Sequence, residues 1–317
     1  MEMLFSAALL PWIAFFVIVV ALLAFDLGVL NKKDHEISVK ESLWLSAFYI
    51  AVALLFGLGV WWYRGADDAL LYYTGFLVEK SLSLDNVFVF ALIFSFLGIP
   101  RIYEHRVLVW GILMALVFRA VFIGFGAAAV SEWQWILWFF GAFLIYTGVK
   151  MLFAKEDSGP DFENNAAYRW MQSKMNLSKE YRGHDFWFKE NGVRYFTPLF
   201  VALVLINFAD IIFAVDSVPA ILAITQDPFI VYTSNIFAIL GLRALYFALS
   251  AMIHRFHYLK YALALILVLI GVKIVLLMIG IKLPALLTLG LTFGLLAGGV
   301  GYSLYKTKEV DHEKAAV

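Results

Sequence analysis

There is no cysteine among the 317 residues. Disulfides, thiolate metal sites and thiol redox chemistry are therefore excluded together. Charge is scarce: Asp, Glu, Lys and Arg make up 15% of the chain, against roughly 25% in soluble domains. Basic and acidic residues balance at 24 each, so a nucleic-acid partner has no electrostatic support. No Gly-rich phosphate loop, GK[ST] motif or metal triad is present. None of the six histidines (35, 105, 184, 254, 257 and 312) falls in the middle of an apolar run, which leaves no axial ligand for a membrane haem. The first residues lack a basic n-region and a small-residue cleavage site, and are read as a retained first helix.

What the chain has in excess is apolar length. Hydrophobic residues form 63% of it, in nine segments: about 11–30, 42–62, 69–97, 107–130, 133–153, 197–224, 230–252, 259–280 and 283–305. Backbone polar groups in lipid are satisfied only by helices or closed barrels, and barrel strands would be about ten residues of alternating polarity. An all-α membrane protein of about nine transmembrane helices is expected. The connections support the count, because 17 of the 24 Lys and Arg fall on one side and two, Arg64 and Lys282, on the other. The positive-inside rule then puts the N-terminus outside and the C-terminus in the cytoplasm of a plasma or inner membrane. The expected organisation is a membrane half over 1–153, a cytoplasmic loop over 154–196, a second membrane half over 197–305 and a cytoplasmic tail over 306–317. In the loop, Asn191-Gly192 between apolar residues reads as a two-residue hairpin turn, and 163–180 as a surface helix.

Two segments carry acids where acids are expensive. Glu79 and Asp85 lie in EKSLSLDN, and Asp210 and Asp216 in NFADIIFAVDSVP, each pair six residues apart. A carboxylate at the bilayer centre costs about 2.5–3.5 kcal/mol on insertion scales. The alternation of Glu79, Ser81, Ser83 and Asp85 suits an unwound stretch lining a polar cavity, whereas a straight helix would set the two acids about 120° apart. Pro219 lacks an amide donor, so a kink there would expose the carbonyl of Val215 near Asp216.

The pairs belong to a larger repeat. With Glu79 set against Asp210, Phe118-Arg119-Ala120 answers Leu242-Arg243-Ala244, and Gly148-Val149-Lys150 answers Gly271-Val272-Lys273. By the loop charges the two units, about 69–153 and 197–280, run in opposite directions. Inverted three-helix repeats are a hallmark of transporters with a midplane site at the repeat interface. Four carboxylates with Asn86, Asn207, Ser81, Ser83 and Ser217 nearby form an oxygen-only set, suited to Mn²⁺, Mg²⁺ or Ca²⁺. The competing account has Arg119 and Arg243 neutralising two of the acids in ion pairs that merely knit the bundle. Lys80 has the reach to occupy an empty site, Lys150 and Lys273 are expected to snorkel to the membrane surface, and Asp26 is either a pathway member or a helix-end residue.

Three stretches, VEKSLSLDNVFVF (78–90), FADIIFAVDSVPAILAITQDPF (208–229) and IVYTSNIFAILGLRALYF (230–247), resemble the signatures of the TerC family of integral membrane proteins, its Alx-like branch included. The likeness covers nearly the whole chain, with one departure: Asn207 stands where the family pattern has an acid. The resemblance implies a link to tellurium resistance and manganese export, and it implies that Glu79, Asp85, Asp210 and Asp216 contact metal. It also supplies the preference for Mn²⁺ over Ca²⁺.

The expectation is thus a non-enzymatic Mn²⁺ exporter working by alternating access, with proton entry as its energy source and no resident cofactor. The alternative is a membrane scaffold for stress-resistance proteins, docking through 154–196. An intramembrane aspartyl protease would need two facing Asp; Pro284-Ala285-Leu286 supplies a PAL, but no GxGD surrounds Asp85 or Asp216.

Overall fold

The computed structural model describes residues 2–28, 38–133, 135–153, 165–250 and 259–315. The membrane part contains α1 (Glu2–Gly28), α2 (Val39–Arg64), α3 (Ala66–Leu97), α4 (Arg101–Glu132) and α5 (Ile136–Phe153). A short interlude follows, of α6 (Ala166–Lys174) and the strands β1 (Trp187–Glu190) and β2 (Val193–Phe196). Then come α7 (Pro198–Ile224), α8 (Pro228–Leu240), α9 (Leu242–Ser250), α10 (Leu259–Met278) and α11 (Ala285–Ala315). Eight spans among the described residues are long and apolar enough to cross a membrane, α8 and α9 together making one of them. The acid-bearing α3, 32 residues long, stands beside these eight.

Local chemistry accounts for the helix ends. Gly98, at φ +65°, closes α3: its N–H meets the Ser95 carbonyl and that of Ile99 meets Phe94, a Schellman pattern that Pro100 then keeps from continuing. Asp227 caps α8 by accepting from the Ile230 amide at 3.1 Å, with Pro228 at the first helical position. The same carboxylate meets Arg64 at the end of α2, at 2.5 Å.

Among the described residues three large apolar clusters and a small fourth one fill the interior, and the α8–α9 span is its axis, 89% buried against 17% for α1 and for α11. Trp62, Phe125 and Phe153 face outward, as lipid contact allows. The packing is reciprocal: α3 lies on α7, α4 on α7 as α3 on α8, and α5 runs along α10. Two glycines make the last pair close. A methyl at Gly148 would lie 2.6 Å from the Ala264 carbonyl oxygen, and one at Gly271 would lie 2.8 Å from that of Gly141. Each glycine thus faces the residue seven positions before the other.

Several expectations change. The third segment does not unwind at its acids: α3 is one helix about 48 Å long, longer than the hydrocarbon core. Ser81 and Ser83 are accommodated within it, because their hydroxyls donate to the carbonyls of Leu77 (2.6 Å) and Glu79 (2.8 Å) one turn back. Helix α7 likewise continues through Pro219. The discontinuity lies in the next segment, at Gly241 between α8 and α9, where a side chain would collide with Tyr49 at 2.9 Å. The surface helix is shorter than 163–180, and Lys273 is buried in α10 instead of snorkelling. The hairpin is as read, with positive φ at Asn191 (51°) and Gly192 (79°). This interlude is docked: Met171 is buried in a core cluster, and the Tyr181 hydroxyl donates to the carbonyls of Leu97 (3.0 Å) and Gly98 (3.1 Å).

Candidate metal centre

Helical spacing builds the site from two matching faces. Glu79 and Asn86 are seven residues apart on α3, as are Asp210 and Ser217 on α7, so each pair shares one helix face two turns apart. All four side chains are buried. Arg119 of α4 enters between them, 1% exposed. Its guanidinium donates to Glu79, to the Ser217 hydroxyl at 2.9 Å and to Asp210 at 3.2 Å. Asn86 closes the set by donating its amide to Asp210 at 3.2 Å. One cation therefore bridges carboxylates from both halves of the chain, and the three groups sum to a formal charge of −1 with both acids ionised.

Oxygen acceptors are left over. Asp210 Oδ2, Asn86 Oδ1 and Asn207 Oδ1 are buried with no hydrogen-bond donor among the described residues. Asn207 lies one turn before Asp210 on the same face and uses its own amide on the Leu203 carbonyl, at 2.8 Å. Buried acceptors without donors cost free energy unless something positive meets them. All are hard oxygen ligands of the kind that Mn²⁺, Mg²⁺ and Ca²⁺ take. Among the described residues no three His, Cys, Asp or Glu side chains gather. Asp85 and Asp216 lie on α3 and α7, but their side chains, and that of Val215, fall outside the described residues.

Other residues go elsewhere than expected. Lys80 does not sit among the acids: its ammonium donates to the Ala238 carbonyl at 3.0 Å, in the last turn of α8, where intrahelical donors run out. Arg243, at the start of α9, pairs with Asp26 of α1 and with Nε2 of His105 on α4. A guanidinium only donates, so that ring nitrogen is the acceptor. Tyr49 of α2 hydrogen-bonds to Asp26, making a second, partly buried polar cluster. Sequence reasoning missed His105, Tyr49 and the break at Gly241. The one available signal was the unassigned acid in AFDLG, Asp26.

The sequence matches the integral membrane protein TerC family over residues 64–311. The chain belongs to the TerC family. It is 46% identical over 297 residues to an uncharacterised membrane protein of Myxococcus xanthus, covering 94% of this chain and 92% of that one. An uncharacterised membrane protein of Rickettsia felis is 45% identical over 303 residues, 96% of this chain and all of the other. Alx of Escherichia coli, provisionally named a membrane-bound redox modulator, is 43% identical over 296 residues, 90% and 92% of the two chains. No solved structure matches. This TerC-family chain is an integral membrane protein, and its buried acids lie within the matched region.

Proposed function

We propose that this TerC-family protein exports a divalent cation, Mn²⁺ foremost, from the cytoplasm by alternating access, with protons entering in exchange. The observation that carries the reading is the sharing of one guanidinium by Glu79 of α3 and Asp210 of α7, beside buried oxygens that have no donor. A purely structural ion pair needs one acid per base and no spare acceptors. Here two acids share a base, and two further acids, Asp85 and Asp216, lie six residues on, nearly two turns, along the same helices.

The inverted repeat is part of the proposal. Support comes from the exchange of partners between α3–α5 and α7–α10, and from Gly148 and Gly271, aligned by sequence and meeting each other's helix at matching offsets. A two-fold relation of this kind puts the site where the halves meet, the arrangement that alternating access requires. The loop charges favour an outside N-terminus and a cytoplasmic C-terminus in the plasma or inner membrane.

Moving a dication outward against an inside-negative potential costs about 4.6 kcal/mol per 100 mV, twice the single-charge value. No nucleotide-binding motif is present to supply it. Carboxylates that hold either a metal or a proton provide the exchange. The preference for Mn²⁺ over Ca²⁺ rests on the family resemblance. The redox name of the Alx relatives finds no thiol in this chain to act through.

The test is Mn²⁺ flux in proteoliposomes under an imposed pH gradient. Flux should follow the gradient's sign. Transport indifferent to the gradient refutes antiport, and no flux of any dication refutes the transporter reading. Asp85→Asn and Asp216→Asn distinguish the scaffold alternative, which would leave protein partners bound while a transporter loses metal handling.

A further inference from the structure

Arg119 and Arg243 occupy corresponding places in the two repeats, and the structure treats them oppositely. Both are buried, at 1% and 3% exposure. Arg119 sits on Glu79, Asp210 and Ser217, the motif residues. Arg243 is held by Asp26, which belongs to α1 and so to neither repeat, and by His105 of α4. Yet Arg243 lies close to the acid helix. Lys80, adjacent to Glu79, reaches the Ala238 carbonyl, and its ammonium would lie 3.2 Å from a Cβ at Gly241, two residues before Arg243. The helix break at Gly241 immediately precedes the arginine.

An arginine is always charged, so it cannot be neutralised in place when a dication arrives beside it; it has to move. A moving buried charge also needs somewhere to go, since a stranded one is costly. Asp26 gives Arg243 such a place. In inverted-repeat transporters one repeat rocks against the other around a fixed site as access alternates, so residues of either repeat can be brought to it.

Resting on the transporter reading above, the geometry points to Arg119 and Arg243 as two tethered counter-cations that take turns on the motif carboxylates, with Asp26 as the residue that holds Arg243 while it is idle. In the conformation described, Arg119 is engaged and Arg243 is parked. In the opposite-facing conformation the roles reverse: Arg243 leaves Asp26 for the carboxylates and Arg119 withdraws. Asp26 is thus a positioning residue, acting on the metal site through Arg243.

The experiment is Mn²⁺ binding to the purified full chain in detergent, by the electron paramagnetic resonance signal of the free ion, with thermal unfolding measured alongside. Asp26→Asn should weaken Mn²⁺ binding at least tenfold, because Arg243 then competes for the carboxylates continuously. Adding Arg243→Gln should restore affinity to within about twofold of the wild type. If Asp26→Asn changes unfolding but not Mn²⁺ affinity, the pair is only structural and the proposal fails. Should Asp26→Asn not fold, Arg243→Gln alone decides. It should still bind Mn²⁺ yet lose at least tenfold in proteoliposome flux per folded molecule, and undiminished flux overturns the proposal. A wild-type chain that binds no Mn²⁺ overturns the transporter reading and this inference with it; unequal fates of the two are read from wild-type binding.

Discussion

Replacing Arg119 by Gln removes the charge that Glu79 and Asp210 share, and puts a shorter, neutral amide where the guanidinium donated to Ser217. Two unit charges 4 Å apart attract by about 4 kcal/mol at the effective dielectric that suits protein sites. Breaking a buried pair by deleting one partner typically costs about 3–5 kcal/mol, because the other charge is left uncompensated. One of the two carboxylates can take up a proton and recover part of this, so the loss should fall near the lower end, about 3 kcal/mol. Metal should then act differently on the variant. If the guanidinium competes with a dication for the same oxygens, its removal tightens Mn²⁺ binding, and each tenfold gain adds about 1.4 kcal/mol at saturating metal. The assay is thermal unfolding of wild type and Arg119→Gln in detergent, each titrated with Mn²⁺. The variant should unfold earlier without metal and gain more from Mn²⁺ than the wild type does. An unchanged unfolding temperature would show that Arg119 carries no charge-balancing role. A Mn²⁺ response no larger than that of the wild type would show that guanidinium and metal do not share a place.

Three further outcomes follow from other parts of the structure. Gly148→Ala and Gly271→Ala each press a methyl against a backbone oxygen across the α5–α10 contact, at 2.6 and 2.8 Å, and should cost about 1–3 kcal/mol despite alanine's better helix propensity. Gly294→Ala on α11, with nothing within 4 Å, should be harmless in the same unfolding assay. Asp85→Asn and Asp216→Asn should each abolish Mn²⁺ flux while leaving the amount of protein in the membrane unchanged, as checked by immunoblot beside the flux measurement. Tyr181→Phe removes the hydroxyl that binds the last carbonyls of α3, and should cost about 1 kcal/mol and speed amide exchange across the β1–β2 hairpin.

The features legible in the sequence were those written in local spacing or in long apolar runs. Asn191-Gly192 gave its hairpin because both positions need positive φ, and the apolar segments gave their helices because lipid leaves the backbone no other option. The association of Glu79 with Asp210 was legible for a different reason: two costly acids in matching contexts imply a shared neutralising environment. The alternation around Glu79 misled, since Ser81 and Ser83 can satisfy their hydroxyls on carbonyls inside the helix and need no cavity. The break at Gly241 was hidden because 230–252 reads as one segment of membrane-spanning length. The pairing of Asp26 with Arg243 spans 217 residues, and no periodicity encodes a contact made only by the packing of α1 against the second half of the chain.

The charge count at the site constrains how a dication can be exchanged there. With both acids ionised, Glu79, Asp210 and Arg119 sum to a formal charge of −1 in the paired arrangement. Seating a dication beside that trio without other change would bring it to +1, in a place where burial makes any net charge costly. If the guanidinium withdraws as the metal enters, the two carboxylates and the dication sum to zero. The local change on loading is then a single positive charge, not two. A proton released from a neighbouring carboxylate cancels that remaining charge, so that loading leaves the site electrostatically where it began. If the proposed metal/proton exchange takes place here, the arginine would lower to one the number of protons the site must exchange per metal ion to keep its charge constant. Without it, as in Arg119→Gln, constancy requires two. The ratio of protons to Mn²⁺ moved should therefore rise from about one in the wild type to about two in the variant. Simultaneous pH-dye and Mn²⁺ measurements in proteoliposomes read that ratio directly, and an identical ratio in both proteins would sever the arginine from the exchange.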